Sequence, residues 1–183
     1  KNAAKNNLKT LLVDEKNELG GATIYQNREF NKIDNQSSSD WIKKEIKELK
    51  NIKNLEIKTR TSVAAYHGYN YLLARENLTD HLEKKDKQGK VRQRLLKIRA
   101  KKVILATGAL ERPLIFNNND RPGIMLSSAV KKYADFYGVV TGKKNVFFTN
   151  NDSAYESALC LHNKGIKVEA VIDIREKSDS NIV

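Results

Sequence analysis

The sequence has 183 residues, with 34 Lys and Arg against 22 Asp and Glu, a formal net charge of +12, and 39% hydrophobic residues. That length suits one domain or one and a half, with enough apolar residues to bury a core. No run of about 18 apolar residues occurs, which excludes a membrane-spanning helix, and a single cysteine, Cys160, excludes an internal disulfide framework and a cysteine-rich zinc site.

Thr10 to Val13 is a short continuous apolar run closed by Asp14, the pattern of a buried parallel strand. Gly20-Gly21 follows, then a polar stretch reaching Ser37 to Asp40, which supplies a helix N-cap. From Trp41 the spacing predicts a helix, with Ile42, Ile46 and Leu49 on one face. Leu55, Ile57 and Thr59 alternate as a second strand. Next come three strands of an antiparallel meander over about 61–99: Val63 to Tyr66, Tyr71 to Glu76, and Arg94 to Arg99. His67 to Asn70 forms the first connection and a charged loop the second. Val103 to Ala106 reads as another buried strand, ending in Thr107-Gly108. Ser127 to Tyr137 reads as a helix, Asn145 to Phe148 as a strand, Asp152 to Lys164 as a helix, and Val168 to Ile172 as a strand ending in Asp173.

Strands alternating with helices predict an α/β fold with a parallel sheet covered on both faces. The order matches a Rossmann-like FAD/NAD(P)-binding fold with its meander, lacking its first strand, followed by the start of a second Rossmann-like unit. The expected divisions are a dinucleotide-binding domain at 1–108, a connecting segment at 109–142, and a degenerate nucleotide-binding-like unit at 143–183. The chain opens on Lys1 rather than Met and closes on Ile182-Val183 after a polar stretch, so both ends read as interior to a longer protein.

Asp14 is the first residue with a chemical reading. An acid at the end of such a strand accepts hydrogen bonds from the adenosine ribose hydroxyls and disfavours a 2′-phosphate, selecting NAD or FAD over NADP. Glu15 is the neighbouring alternative. Gly20 and Gly21 would let the backbone pass close to a cofactor. Val63 opens the meander, and Ala106, Thr107 and Gly108 would let a dinucleotide lie across a strand end. Each signal is weak alone; their order along the chain is far more specific.

Several runs carry a resemblance: Leu12-Val-Asp-Glu15 with Glu18-Leu-Gly-Gly21, Thr79-Asp-His-Leu82, Ala106-Thr-Gly-Ala-Leu-Glu-Arg-Pro113, Asn118-Asn-Asp-Arg-Pro-Gly123, and Phe148-Thr-Asn-Asn-Asp-Ser-Ala-Tyr155. Over nearly its whole length the chain resembles the alpha subunits of heterotetrameric sarcosine oxidases. That resemblance implies NAD held non-covalently in the first nucleotide domain, FAD in a beta subunit where sarcosine is demethylated, and FMN at the alpha–beta interface. It also implies gamma and delta subunits, a folate-handling domain elsewhere in the alpha subunit, and no chemical centre within this stretch. FAD in place of NAD, in a related amine or opine dehydrogenase, is the alternative.

Thr149 and Asn151 stand where a second glycine-rich turn would carry its first two glycines. Asp152 would set a negative charge where a phosphate should lie. This predicts a nucleotide fold without ordinary nucleotide binding, Asp173 being the relict ribose acid; an altered site for another ligand is the rival reading. His67, His81 and His162 are scattered, with no metal-ligand spacing. Cys160 falls on the apolar face of its helix, and Tyr66, Tyr69 and Tyr71 read as packing in the meander. Arg121-Pro-Gly123 predicts a turn. The basic residues are spread along the chain and mixed with Glu, which favours a solvated surface over a nucleic-acid patch. One cysteine and no apolar leader fit a cytoplasmic setting.

Overall fold

The computed structural model of the chain describes residues 1–25 and 32–176. The closing pair Ile182-Val183, read above as an interior end, lies outside them. In chain order the elements are α1 (Asn2–Lys5), β1 (Thr10–Val13), a 3-10 turn (Gly21–Tyr25), β2 (Lys32–Ile33), β3 (Gln36–Ser37), α2 (Ser38–Lys50), β4 (Leu55–Lys58), β5 (Thr61–His67), β6 (Tyr71–Asn77), α3 (Lys84–Lys87), β7 (Gln93–Arg99), α4 (Ser127–Phe136), β8 (Lys144–Thr149), α5 (Ser153–Asn163) and β9 (Lys167–Asp173). They fall into two compact units, Lys1–Ile24 with Ser39–Thr107, and Tyr25–Ser38 with Gly108–Val183.

In the first unit β1 and β4 pair in parallel, Thr10 against Leu55 through Val13 against Lys58. The crossover between them contains α2, as a parallel pair requires. The ladder runs on past the strands: Asp14 N–H donates to the Lys58 carbonyl, and Thr61 N–H to the Asp14 carbonyl, both at 2.9 Å. The second bond ties the first meander strand to the end of β1. Strands β5, β6 and β7 form the expected antiparallel meander, with Leu72 and Ala74 buried. Between Val63 and Ala65 the register slips, leaving Ala64 as a bulge.

In the second unit β8 and β9 pair in parallel around α5. Ala134, Phe147, Ala154, Ala158 and Leu161 make its core, with Val130, Ile166, Val168 and Val171 packed against them. Helices α4 and α5 are joined by a polar ladder. Lys131 pairs with Glu156, and Asp135 takes both the Cys160 thiol and the Lys164 ammonium at 3.1 Å. Residues four apart on each helix present these groups on one face.

One expectation is corrected. Val103 to Ala106 is not a paired strand. Residues 102–116 have no regular structure, and Ile104 and Leu105 are 86% and 70% exposed. An apolar run becomes a strand only beside a neighbour that takes its backbone groups, and none lies there among the described residues. The two parallel pairs belong to separate sheets, one in each unit, as a second Rossmann-like unit implies. The polar stretch before α2 holds a small hairpin, β2–β3, whose Asp34 and Asn35 both have positive φ, as a two-residue turn demands.

Candidate functional site

Parallel pairing fixes where Asp14 sits. It is the first residue past the C-terminal end of β1, the end at which open α/β sheets bind their ligands. Its backbone is held on both sides by the bonds to Lys58 and Thr61. Its carboxylate is half-buried, and Oδ1 accepts the Lys16 N–H at 2.9 Å, closing a short turn that sets the side chain's direction. Glu15 is exposed. The geometry therefore favours Asp14 of the two acids as an oriented acceptor.

The glycine pair divides. A Cβ on Gly20 would lie 2.8 Å from Ile24 Cγ1 and 2.9 Å from Ile42 Cγ1, so this glycine lets α2 pack closely. Gly21 has φ +54 and faces open space, as a backbone available to a ligand would. Val63 is 46% exposed beside the bulge at Ala64, where backbone polar groups leave the ladder. Thr61 is buried, and its bond to Asp14 brings the Val63 end of the meander to Asp14. Ala106 and Thr107 are exposed and enter no strand pairing among the described residues. Gly108 falls in the second unit, with φ +74 and open space at its Cβ position. Asp14, Gly21 and Val63 thus share one end of β1 and the meander with open or half-open surroundings, while Gly20 is a packing residue.

Glu111, which carried no role in the sequence reading, caps α4. Its carboxylate accepts Ser127 N–H at 3.1 Å and Ser127 Oγ–H at 2.8 Å on one oxygen, and Ser128 N–H at 2.8 Å on the other. Burial raises its pKa, but the bonds from Ser128 and Ser127 outweigh burial and hold it below the ordinary Glu value. Arg121, Pro122 and Gly123 form the expected turn, closed by Ile124 N–H on the Arg121 carbonyl.

In the second unit the loop from Thr149 to Asp152 bonds to itself. Thr149 Oγ1 donates to the Asn151 carbonyl and accepts the Asn151 N–H. Asn151 Oδ1 accepts both the N–H and the hydroxyl of Ser153. Asp173 ends β9 as expected, and Arg175, absent from the sequence reading, binds it. Side-chain and backbone hydrogen bonds from Arg175 press the Asp173 carboxyl far below the carboxylate range. The signal was available in sequence, an arginine two residues beyond a strand-terminal acid.

Among the described residues no group of three His, Cys, Asp or Glu side chains is disposed to hold a metal. His81 Nδ1 lies 3.3 Å from Asp80 Oδ1, and His162 lines a shallow hollow of about 330 Å³ with Tyr155, Ala158, Leu159, Val168 and Val171. Cys160 is fully buried, as read. Tyr69 departs from its packing role, being 92% exposed with φ 59 at the hairpin tip. Tyr66 donates to Asn70 Oδ1, and the Arg99 guanidinium stands 5.6 Å over the Tyr71 ring. Among the described residues no helix is long and apolar enough to cross a membrane.

No family model matches the chain. It is 41% identical over 94% of its length to the sarcosine oxidase subunit alpha of Corynebacterium sp. (strain P-1), and 40% identical over 95% to that of Corynebacterium sp. (strain U-96). It is 34% identical over 94% to the one from Rhizobium meliloti (strain 1021). It spans 17–18% of the length of these relatives, an internal stretch of each. Among solved structures, the L-proline dehydrogenase from P. horikoshii superposes with a TM-score of 0.69 at 24% identity, over 97% of this chain and 33% of that one. This likeness shows the fold, a Rossmann-like α/β arrangement.

Proposed function

We propose, from its likeness to an internal stretch of sarcosine oxidase alpha subunits, that this chain is the nucleotide-holding part of an oxidoreductase that demethylates sarcosine or a closely related secondary amine. The observation that carries the reading is Asp14. A carboxylate oriented by Lys16 N–H stands at the C-terminal end of a parallel strand, with a glycine of open backbone seven residues on. Those residues fit a ribose-bearing cofactor: a carboxylate accepts from a vicinal diol, and Gly21 presents backbone with no side chain in the way. On this reading the redox chemistry belongs to the flavins of the assembly, and this chain would bind and orient its own nucleotide through Asp14, Gly21 and the exposed backbone beside Val63.

NAD is the first choice of nucleotide, since an acid at this position favours a free 2′-hydroxyl. FAD shares that hydroxyl and is the second. The partners that follow from the reading are the beta, gamma and delta subunits of a sarcosine oxidase, with FAD in the beta subunit, FMN at the alpha–beta interface, oxygen as acceptor and folate as carrier of the one-carbon unit.

The test is to denature the intact protein, purified with its partners, and identify what it releases, alongside oxygen uptake with sarcosine. NAD release with sarcosine-dependent uptake is expected. FAD as the alpha subunit's own nucleotide would move the chain to the related dehydrogenases. Release of no nucleotide from the alpha subunit would overturn the reading.

A further inference from the structure

A Rossmann unit offers a dinucleotide three handles. They are the N–H groups at the helix N-terminus, close backbone approach at the glycine-rich turn, and the acid after the second strand. In the second unit each handle is already used by the chain's own side chains. The Ser153 N–H at the start of α5 donates to Asn151 Oδ1 at 3.0 Å. The turn is filled by Thr149 and Asn151, with Thr149 Oγ1 bonded across it to Asn151 at 2.8 and 3.1 Å. Asp173, the acid, is saturated. Its Oδ1 accepts the backbone N–H and the Nε–H of Arg175, at 2.9 and 3.1 Å, and its Oδ2 accepts Arg175 Nη2 at 2.7 Å and the Tyr155 hydroxyl at 3.0 Å.

Arg175 then spans the ligand position. The same Nη2 reaches Asp152 Oδ1 at 2.6 Å, so one guanidinium bridges the turn before α5 and the end of β9. These are the two places a dinucleotide would bridge. Its side chain is 24% exposed, and those of Asp173 and Asp152 are 11% and 34%. An isolated surface ion pair would count for little. A two-pronged guanidinium contact to one carboxylate and a further bond to a second is a geometry only Arg supplies.

We propose that Arg175 is the built-in occupant of the second unit's nucleotide position, a guanidinium clasp between Asp152 and Asp173 that excludes dinucleotide and holds the turn before α5 onto β9. The charges explain the exclusion. Two carboxylates repel a pyrophosphate, and the Arg175 guanidinium between them is already engaged with both. Removing Arg175 therefore does not open a nucleotide site. It takes away the guanidinium that Asp152 and Asp173 share, a place that another guanidinium can fill.

The experiment is hydrogen exchange on the intact protein, read in peptides covering residues 149–155 and 173–176. In wild type, saturating NAD leaves exchange in both peptides unchanged. Arg175→Ala speeds it by roughly tenfold or more, the loss of several charge-assisted bonds. Methylguanidinium at about 10 mM restores slow exchange in the variant but not in wild type, whose site is full. Sodium chloride at equal ionic strength does not restore it. Arg175→Lys falls between wild type and Ala, because an ammonium lacks the fork. NAD slowing exchange in these peptides of the wild type would overturn the proposal, and that arm stands even if a variant folds poorly. So would unchanged exchange in Arg175→Ala, or equal effects of methylguanidinium and sodium chloride. Protection by NAD near Asp14 reads out separately, so the proposed function and this clasp can fail independently.

Discussion

Cys160 shows how burial sets chemistry at a single residue. Burial first, then its bond to the Asp135 carboxylate, pushes the thiol from an ordinary value near 9 up to about 12. At pH 8 the folded protein then holds roughly a thousandfold less thiolate than an unfolded chain. Iodoacetamide should leave Cys160 unmodified in the native protein and label it rapidly in urea; rapid native labelling would contradict the packing. The sign with pH follows. The folded state favours the neutral thiol, so this contribution to stability is complete below the unfolded pKa and is lost as pH rises from about 9 towards 12. Sequence made Cys160 legible as buried, because it stands in the apolar run Ala158 to Leu161; the structure sets it on the face that Glu156 and Lys164 share, against Asp135. It left Arg175 unread: its nearness to Asp173 is visible in the sequence, but its second partner, Asp152, comes from another segment.

At the scale of elements, α4 depends on a distant residue. Its own N-cap, Leu126, has no side-chain acceptor, and Glu111 supplies one from another segment. Glu111→Ala should cost about 1–2 kcal/mol, the usual value of a lost cap, measurable as a lower melting temperature. Because its folded pKa lies below the ordinary value, the contribution is complete above the unfolded Glu pKa. It is lost as pH falls through the folded one. The difference in melting temperature between wild type and Glu111→Ala should accordingly shrink in strong acid; a constant difference would argue that Glu111 acts by packing alone. Elements stabilised by their own periodicity were readable: β1 from its apolar run, α2 from Ile42, Ile46 and Leu49, and the meander from alternation. Elements that depend on neighbours were not. The run at Val103 has strand composition without a ladder, and the bulge at Ala64 leaves no mark in the sequence.

At the scale of the molecule, the two units differ at the C-terminal ends of their parallel strands. In the first, an oriented acid and an open glycine stay available at a strand end. In the second, the equivalent groups are closed on one another by Arg175. The order of motifs along the chain was legible because nucleotide-binding folds space them by their strands. The division of work within the glycine pair was not, since Gly20 is explained only by the approach of Ile24 and Ile42. The most direct measurement of the whole account is a calorimetric titration of NAD into the intact, nucleotide-depleted protein, wild type against Asp14→Ala. One site per chain is expected, weakened roughly 10- to 150-fold by the loss of a charge-assisted hydrogen bond worth about 1.5–3 kcal/mol, with the unliganded protein still cooperatively folded and its melting temperature lowered only by the lost Lys16 bond. Equal affinity in the two proteins, or a second bound nucleotide per chain, would contradict it.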